Sequence, residues 1–327
     1  MRTYLPSGPD QDVPAGWGVR RAARLAFPGA AAVAADPVHS GRLRTYLTDM
    51  LRPYELALDE AAFARGGQSY GEMAEALIRA AVPPGESVDL LVLAYSVPDV
   101  TPGRATATWL SHVCPGGPLA FAVSDETHTA AFTALRLARA YAAGAGPARA
   151  LLLVVEQPVL PYPPGAAVLP SGAYGVGLLL GPTGLAGPDG EAPGDVTAIL
   201  GQGLAGGLPD GLPGELAGVQ RVRTAEPGRP GTGVWWELAG EVERAAPGRA
   251  RVGDGTPEPR VLVGADRTGA RTGPPAAMRT QPPPDGRPVA RRFVLADRAA
   301  GGGLALATVD AAAGSLSGSI SGSGGRR

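Results

Sequence analysis

The stretch AFAVSDETHTAAFTALRLARAY, Ala120 to Tyr141, begins as an apolar strand, turns through the polar corner Ser124 to Thr129, and leaves as an amphipathic helix. A strand, a tight polar turn and a helix N-terminus can together hold a nucleophile, because unpaired N–H groups and the helix dipole stabilise developing negative charge. The helix, Thr129 to Ala143, runs on to the apolar strand Ala150 to Glu156 (ALLLVVE). Strand, helix and strand predict a right-handed crossover with parallel strands at the centre of a sheet.

Upstream, SYGEMAEALIRAA (Ser69 to Ala81) places Met73, Ala76, Leu77 and Ala80 at helical spacing, and Pro83-Pro84-Gly85 stops it. Leu90 to Tyr95 is apolar on both faces, the pattern of a buried parallel strand, and opens into the loop Val97 to Pro102. ATATWLSHV, Ala105 to Val113, reads as a short helix. Downstream, SGAYGVGLLLGP reads as a strand that can pair as a hairpin with its neighbour. Its glycines enter a strand rather than open a helix, so they serve packing and not a dinucleotide.

Beyond about Gly184 the texture becomes Gly- and Pro-rich, which divides the chain into a first half, 1–184, a second half, 185–313, and a disordered tail, 314–327. In the second half GVWWELAGEVERA reads as a helix anchored in the core by Trp235 and Trp236. Pro259 to Asp266 reads as a strand, Gly273 to Pro288 as a long exposed loop, and Arg291 to Ala311 as a hairpin-like pair through Gly301 to Gly303.

Composition narrows the chemistry. The 327 residues are 18% charged with a formal net charge of −1, which gives no electrostatic case for nucleic acid or an anionic membrane. There is no lysine and no asparagine, so Schiff bases, Walker lysines and Asn-lined oxyanion holes are excluded. Cys114 is the single cysteine, and His39, His112 and His128 are the only imidazoles. A disulfide within the chain or a cysteine-rich zinc site cannot form, and neither metal nor cofactor is expected. No signal-like or membrane-length apolar run is present, so the expected location is cytoplasmic. Arg20, Arg21 and Arg24 form a small basic cluster that suits a carrier phosphate or a solvated helix face equally well. His112 and Cys114 share the loop SHVCPGG, where an incidental role outweighs a thiolate and base pair.

Taken in order, SYGEMAEALIRAA, VDLLVLAYSVPD, PLAFAVSDETHTAAFTALRLARAY, ARALLLVVE and GAYGVGLLLG resemble the N-terminal half of β-ketoacyl-ACP synthase III-like proteins of the thiolase superfamily. The resemblance covers roughly Ser69 to Gly181. It implies an α/β, thiolase-like fold of two related halves in an α-β-α-β-α arrangement, normally paired as a dimer and acting on acyl-CoA or acyl carrier protein. It also implies a nucleophilic cysteine at the corner. Matched from the strand side that position falls on Thr127, and from the helix side on His128. Neither is cysteine, no histidine follows His128, and asparagine is absent, so a Cys-His-Asn or Cys-His-His triad cannot be assembled within this chain.

Two readings of the corner follow. In one, Ser124 or Thr127 is a nucleophile activated by His128, with Asp125 or Glu126 orienting the ring. In the other, the corner caps the helix beside a vestigial pocket. The leading expectation is a non-condensing partner subunit with an acyl pocket in specialised-metabolite (polyketide or fatty-acyl) biosynthesis, a homodimer or a heterodimer with an active ketosynthase. The alternative is an acyltransferase or thioesterase-like enzyme using the Thr, Ser or His site.

Overall fold

The computed structural model describes residues 16–99, 101, 105–124, 127–145, 149–165, 167–183, 196–206, 218–245, 289–298 and 302–313. The strands are β1 (Trp17–Ala26), β2 (Leu90–Ala94), β3 (Leu119–Val123), β4 (Ala150–Glu156), β5 (Tyr174–Pro182), β6 (Val196–Leu200), β7 (Val219–Thr224), β8 (Val289–Arg298) and β9 (Leu304–Ala313). The helices are α1 (Pro37–Leu51), α2 (Glu60–Arg65), α3 (Tyr70–Ala81), α4 (Thr106–Val113), α5 (Ala130–Ala145) and α6 (Gly233–Ala245).

The strands run in the order β3-β2-β4-β5-β1-β9-β8-β6-β7. Within this order one pattern appears twice. β2 lies parallel to β3 and β4, and β4 is antiparallel to β5; β6 lies parallel to β7 and β8, and β8 is antiparallel to β9. In each half a helix, α5 or α6, follows the outermost strand and crosses back over the sheet. The two half-sheets meet through β1, antiparallel to β5 and joined to β9 by the parallel pair Val19↔Ala311. The mixed α/β class and the two related halves expected from the sequence are thus present.

Layering follows from which faces are apolar. Every residue of β2 and β4 is buried, as strands covered on both sides require. One face, with Leu91, Leu93, Leu151 and Leu153, packs on α3 and α4. The other, with Leu90, Val92, Leu152 and Val154, packs on α5 and α6, which also receive Ile199, Phe293 and Leu295 from the second half. The two helices are therefore the shared middle layer. On the outer face of the second half Ala198, Leu200 and Ala296 pack with Leu204, and no helix covers them among the described residues.

Several elements differ from the sequence reading. β1 is a strand, so Arg20 and Arg24 do not sit on a helix face, and both are paired: Arg20 with Glu86 at 2.7 Å, Arg24 with Glu243 at 3.3 Å and over the Trp236 ring. α1, α2, β6 and β7 are additional elements. The hairpin reading of Arg291 to Ala311 holds, with Arg291 opposite Ala311. The 259–266 strand, the 273–288 loop, the boundary at 184 and the tail from 314 lie outside the described residues. No helix among the described residues is long and apolar enough to cross a membrane.

The glycines of GAYGVG are packing sites, as expected: a Cβ on Gly175 would stand 2.8 Å from Leu77 Cδ1 and 3.2 Å from the Phe27 ring. Gly175→Val should therefore lower stability by about 1–3 kcal/mol, since the α3–β5 contact has no room to spare. Urea denaturation checks this, and an unchanged midpoint would mean that α3 does not rest on β5.

Candidate functional site

β3 delivers the chain to the corner. Ser124 is half-buried, Asp125 and Glu126 lie outside the described residues, and a 3-10 turn, Thr127–Thr129, leads into α5. Thr127 is exposed and holds φ at 52°, in the left-handed region. A β-branched side chain there costs roughly 1–2 kcal/mol, and such strain persists where neighbouring structure imposes it. The neighbour is His128.

The His128 Nε2 lies 2.6 Å from the backbone carbonyl of Arg298, at the end of β8. A carbonyl only accepts, so Nε2 carries the proton and donates it; in the neutral ring Nδ1 alone remains as a base. The Asp297 Oδ2 stands 3.9 Å from the same Nε2. Asp297 is buried, and its Oδ1 accepts from the backbone N–H of Arg298 at 2.8 Å and of Gly203 at 3.2 Å. Burial pushes its pKa up, while these hydrogen bonds and His128 pull the other way. Gly201 makes the space, for a Cβ there would lie 2.0 Å from the Asp297 Cγ.

The other half carries the counterpart. β4 ends on Glu156, fully buried, whose carboxylate accepts from the backbone N–H of Gly231 at 2.7 Å and from the Thr232 hydroxyl. Gly231 and Thr232 directly precede α6, as His128 and Thr129 precede α5. Phe132, third in α5, meets Trp235, third in α6, edge to face with centroids 5.1 Å apart. Each half thus carries, last or next to last in its central strand, a buried carboxylate near the start of the other half's inner helix. Burial raises the Glu156 pKa from its ordinary 4.5 to about 7, although the Thr232 and Gly231 hydrogen bonds oppose this.

Of the predicted site residues, Ser124, Thr127 and His128 share the corner, and the acid near His128 among the described residues is Asp297, not a sequence neighbour. That residue was not foreseen. Its signal was only an acid near the end of an apolar strand, RRFVLADR. Cys114 is buried just after α4, and burial raises its thiol to about 11, leaving it un-ionised and unreactive. His112 sits on α4 rather than in a loop, its ring against Trp109 at 5.8 Å. Among the described residues no group of three or more His, Cys, Asp or Glu is placed to hold a metal ion.

No family model and no curated protein matches this chain. Among solved structures it is similar to ChlB3, described as an acyltransferase, at 20% identity over 50% of each chain with a TM-score of 0.33. AbyA1, a tetronic acid condensing enzyme, is 14% identical over 90% of this chain and 99% of its own, with a TM-score of 0.43. A Xanthomonas campestris OleA structure with bound lauric acid and lauroyl-CoA is 12% identical over 90% and 98%, also at 0.43. The chain spans 50% of the length of ChlB3 and 42% of that of an HMG-CoA synthase complexed with CoA.

A raised carboxyl pKa means that the folded state binds the proton more tightly than the unfolded chain. Its stabilising contribution is complete below the ordinary 4.5 and is lost as pH rises through about 7. Glu156→Gln keeps an acceptor for Gly231 and carries no charge. It should therefore be more stable than wild type at pH 8, by on the order of 1–3 kcal/mol, with the difference closing towards pH 5. Urea unfolding across that range tests this; a difference that widens on acidification would reverse the sign.

Proposed function

We propose that this chain is a non-condensing, thiolase-like partner subunit of acyl-CoA or acyl-carrier chemistry, acting in a homodimer or beside an active ketosynthase. One observation carries the reading. β3, the strand that feeds the corner, is an edge strand: its outer side pairs with nothing among the described residues, and Leu119 on it is 58% exposed. An open edge with an exposed leucine is a template for a second chain. A strand added there would place a partner's groups next to Thr127. The corner itself supports the same reading, because the imidazole proton is committed to the Arg298 carbonyl and the only thiol is buried and un-ionised.

A second reading has its own support. The exposed Thr127 hydroxyl, on a strained backbone at a helix start, supports an acyl acceptor, with transfer or hydrolysis from acyl-CoA or acyl carrier protein as the reaction. That route needs no decarboxylation and so no further histidine.

A single variant separates the readings. Leu119 N–H bonds to Asp89 and the Val123 carbonyl accepts from Tyr95, so alternation turns the Ala122 N–H away from β2. Ala122→Pro should block pairing along the edge and leave the fold intact. Co-expression with a cysteine-bearing condensing enzyme, followed by light scattering, should give a dimer in wild type and a folded monomer in the variant. An equally dimeric variant, or an acyl adduct on isolated wild type that Thr127→Ala removes, would favour the enzyme.

A further inference from the structure

The chain from Asp59 to Gly67 is pinned at its ends and lightly held between them. Asp59 N–H donates to the Pro161 carbonyl at 2.7 Å, and the Gly67 carbonyl accepts from Ala31 N–H at 2.9 Å. Between these pins lies α2, six residues long and capped locally by the Asp59 carboxylate, which accepts from Ala62 N–H at 2.9 Å. α2 runs out into Gly66, whose φ of 67° and ψ of 167° fall in a region that glycine alone occupies readily. Such a residue beside a backbone pin is where a segment can turn, because hinges are a few terminal positions that absorb the change in φ and ψ.

α2 also has something to open. Its Ala62 and Arg65 line both a cavity of about 600 Å3, against α1 and the 3-10 turn Ala32–Ala35, and a second of about 670 Å3, against the loop after β4. No residue around either cavity belongs to the corner, so the feature is independent of the corner's chemistry. α2 is the common wall, and Ala62, 2% exposed, is its seal. One side chain of α1 fastens it. Arg44 pairs with Glu60 at 2.5 Å and sets its guanidinium over the Phe63 ring at 5.0 Å; no other ion pair or ring contact reaches α2 among the described residues. Both charged groups are more than half exposed, so water screens the pair and it contributes little. An exposed cation–π contact adds a similarly small amount. Opening α2 therefore costs far less than unfolding the sheet behind it, where every residue of β4 is buried.

We infer that α2 is a strap, latched by Arg44 and turning between the Asp59 and Gly67 pins, whose opening joins the two cavities. Thiol labelling of the full chain with dithiobisnitrobenzoate reads this directly, because the native Cys114 is buried and un-ionised and gives a slow background. Ala62→Cys puts a thiol on the sealed side of the strap, and Ala61→Cys puts one on its exposed side. Ala62→Cys should react more slowly than Ala61→Cys and faster than Cys114. Adding Arg44→Gln should speed Ala62→Cys by about threefold or more, with the Ala61→Cys rate, the Cys114 rate and the urea midpoint unchanged. Hydrogen exchange needs no added cysteine: in Arg44→Gln alone the 60–66 amides should exchange about threefold faster or more, and those of α3 should not change. The inference is overturned if Ala62→Cys reacts as fast as Ala61→Cys or as slowly as Cys114, if Arg44→Gln gives less than about a threefold rise in either measurement, or if Cys114 and α3 share the rise.

Discussion

The structure depends on a buried carboxylate, Glu156, whose hydrogen-bond partners come from the opposite half. Glu156 closes β4 and accepts from the residues that start α6; Asp297, next to last in β8, accepts from Arg298 and Gly203 of its own half and stands 3.9 Å from His128 at the start of α5. An unsatisfied carboxyl in a core is among the more costly arrangements a protein can hold, so Glu156 is compatible with folding only when the second half is docked. α5 and α6 are thereby fixed as a common layer, with Phe132 against Trp235 between them. The doubled strand order gives the halves their shape, and the hydrogen bonds of Glu156, with the His128 contact to the Arg298 carbonyl, tie them together.

The crossing is not chemically even. Around Glu156 the partners are a backbone N–H and a threonine hydroxyl, which complete a carboxyl without adding charge. Around Asp297 the hydrogen-bond partners are the backbone N–H groups of Arg298 and Gly203 in its own half, and the His128 imidazole stands 3.9 Å away with its Nε2 on the Arg298 carbonyl. The turn that carries His128 also holds the exposed Thr127 at a φ of 52°.

Much of the first half was legible in the sequence. β2, β4 and α3 are long apolar or periodic runs between proline and glycine stops, and the corner stood out because a polar hexapeptide separates a strand from a helix. β1 was missed because Arg20, Arg21 and Arg24 interrupt its apolar alternation, and Glu86 and Glu243, which accommodate two of them, lie far off in the chain. β7, an edge strand, reads VQRVRT and carries little apolar signal. Leu43, Leu47 and Leu51 did mark α1 at helical spacing behind the Asp36 cap, a pattern that could have been read. Asp297 could not, because its meaning comes from His128 in the opposite half and from the space Gly201 leaves.

His128 and Asp297 join the α5 corner to the end of β8. A double-mutant cycle of His128→Gln and Asp297→Asn, followed by urea unfolding, measures that join directly. It should return a coupling of about 1 kcal/mol or more, as contacting groups in one network do. Additivity within about 0.3–0.5 kcal/mol would contradict it and leave the corner independent of the second half.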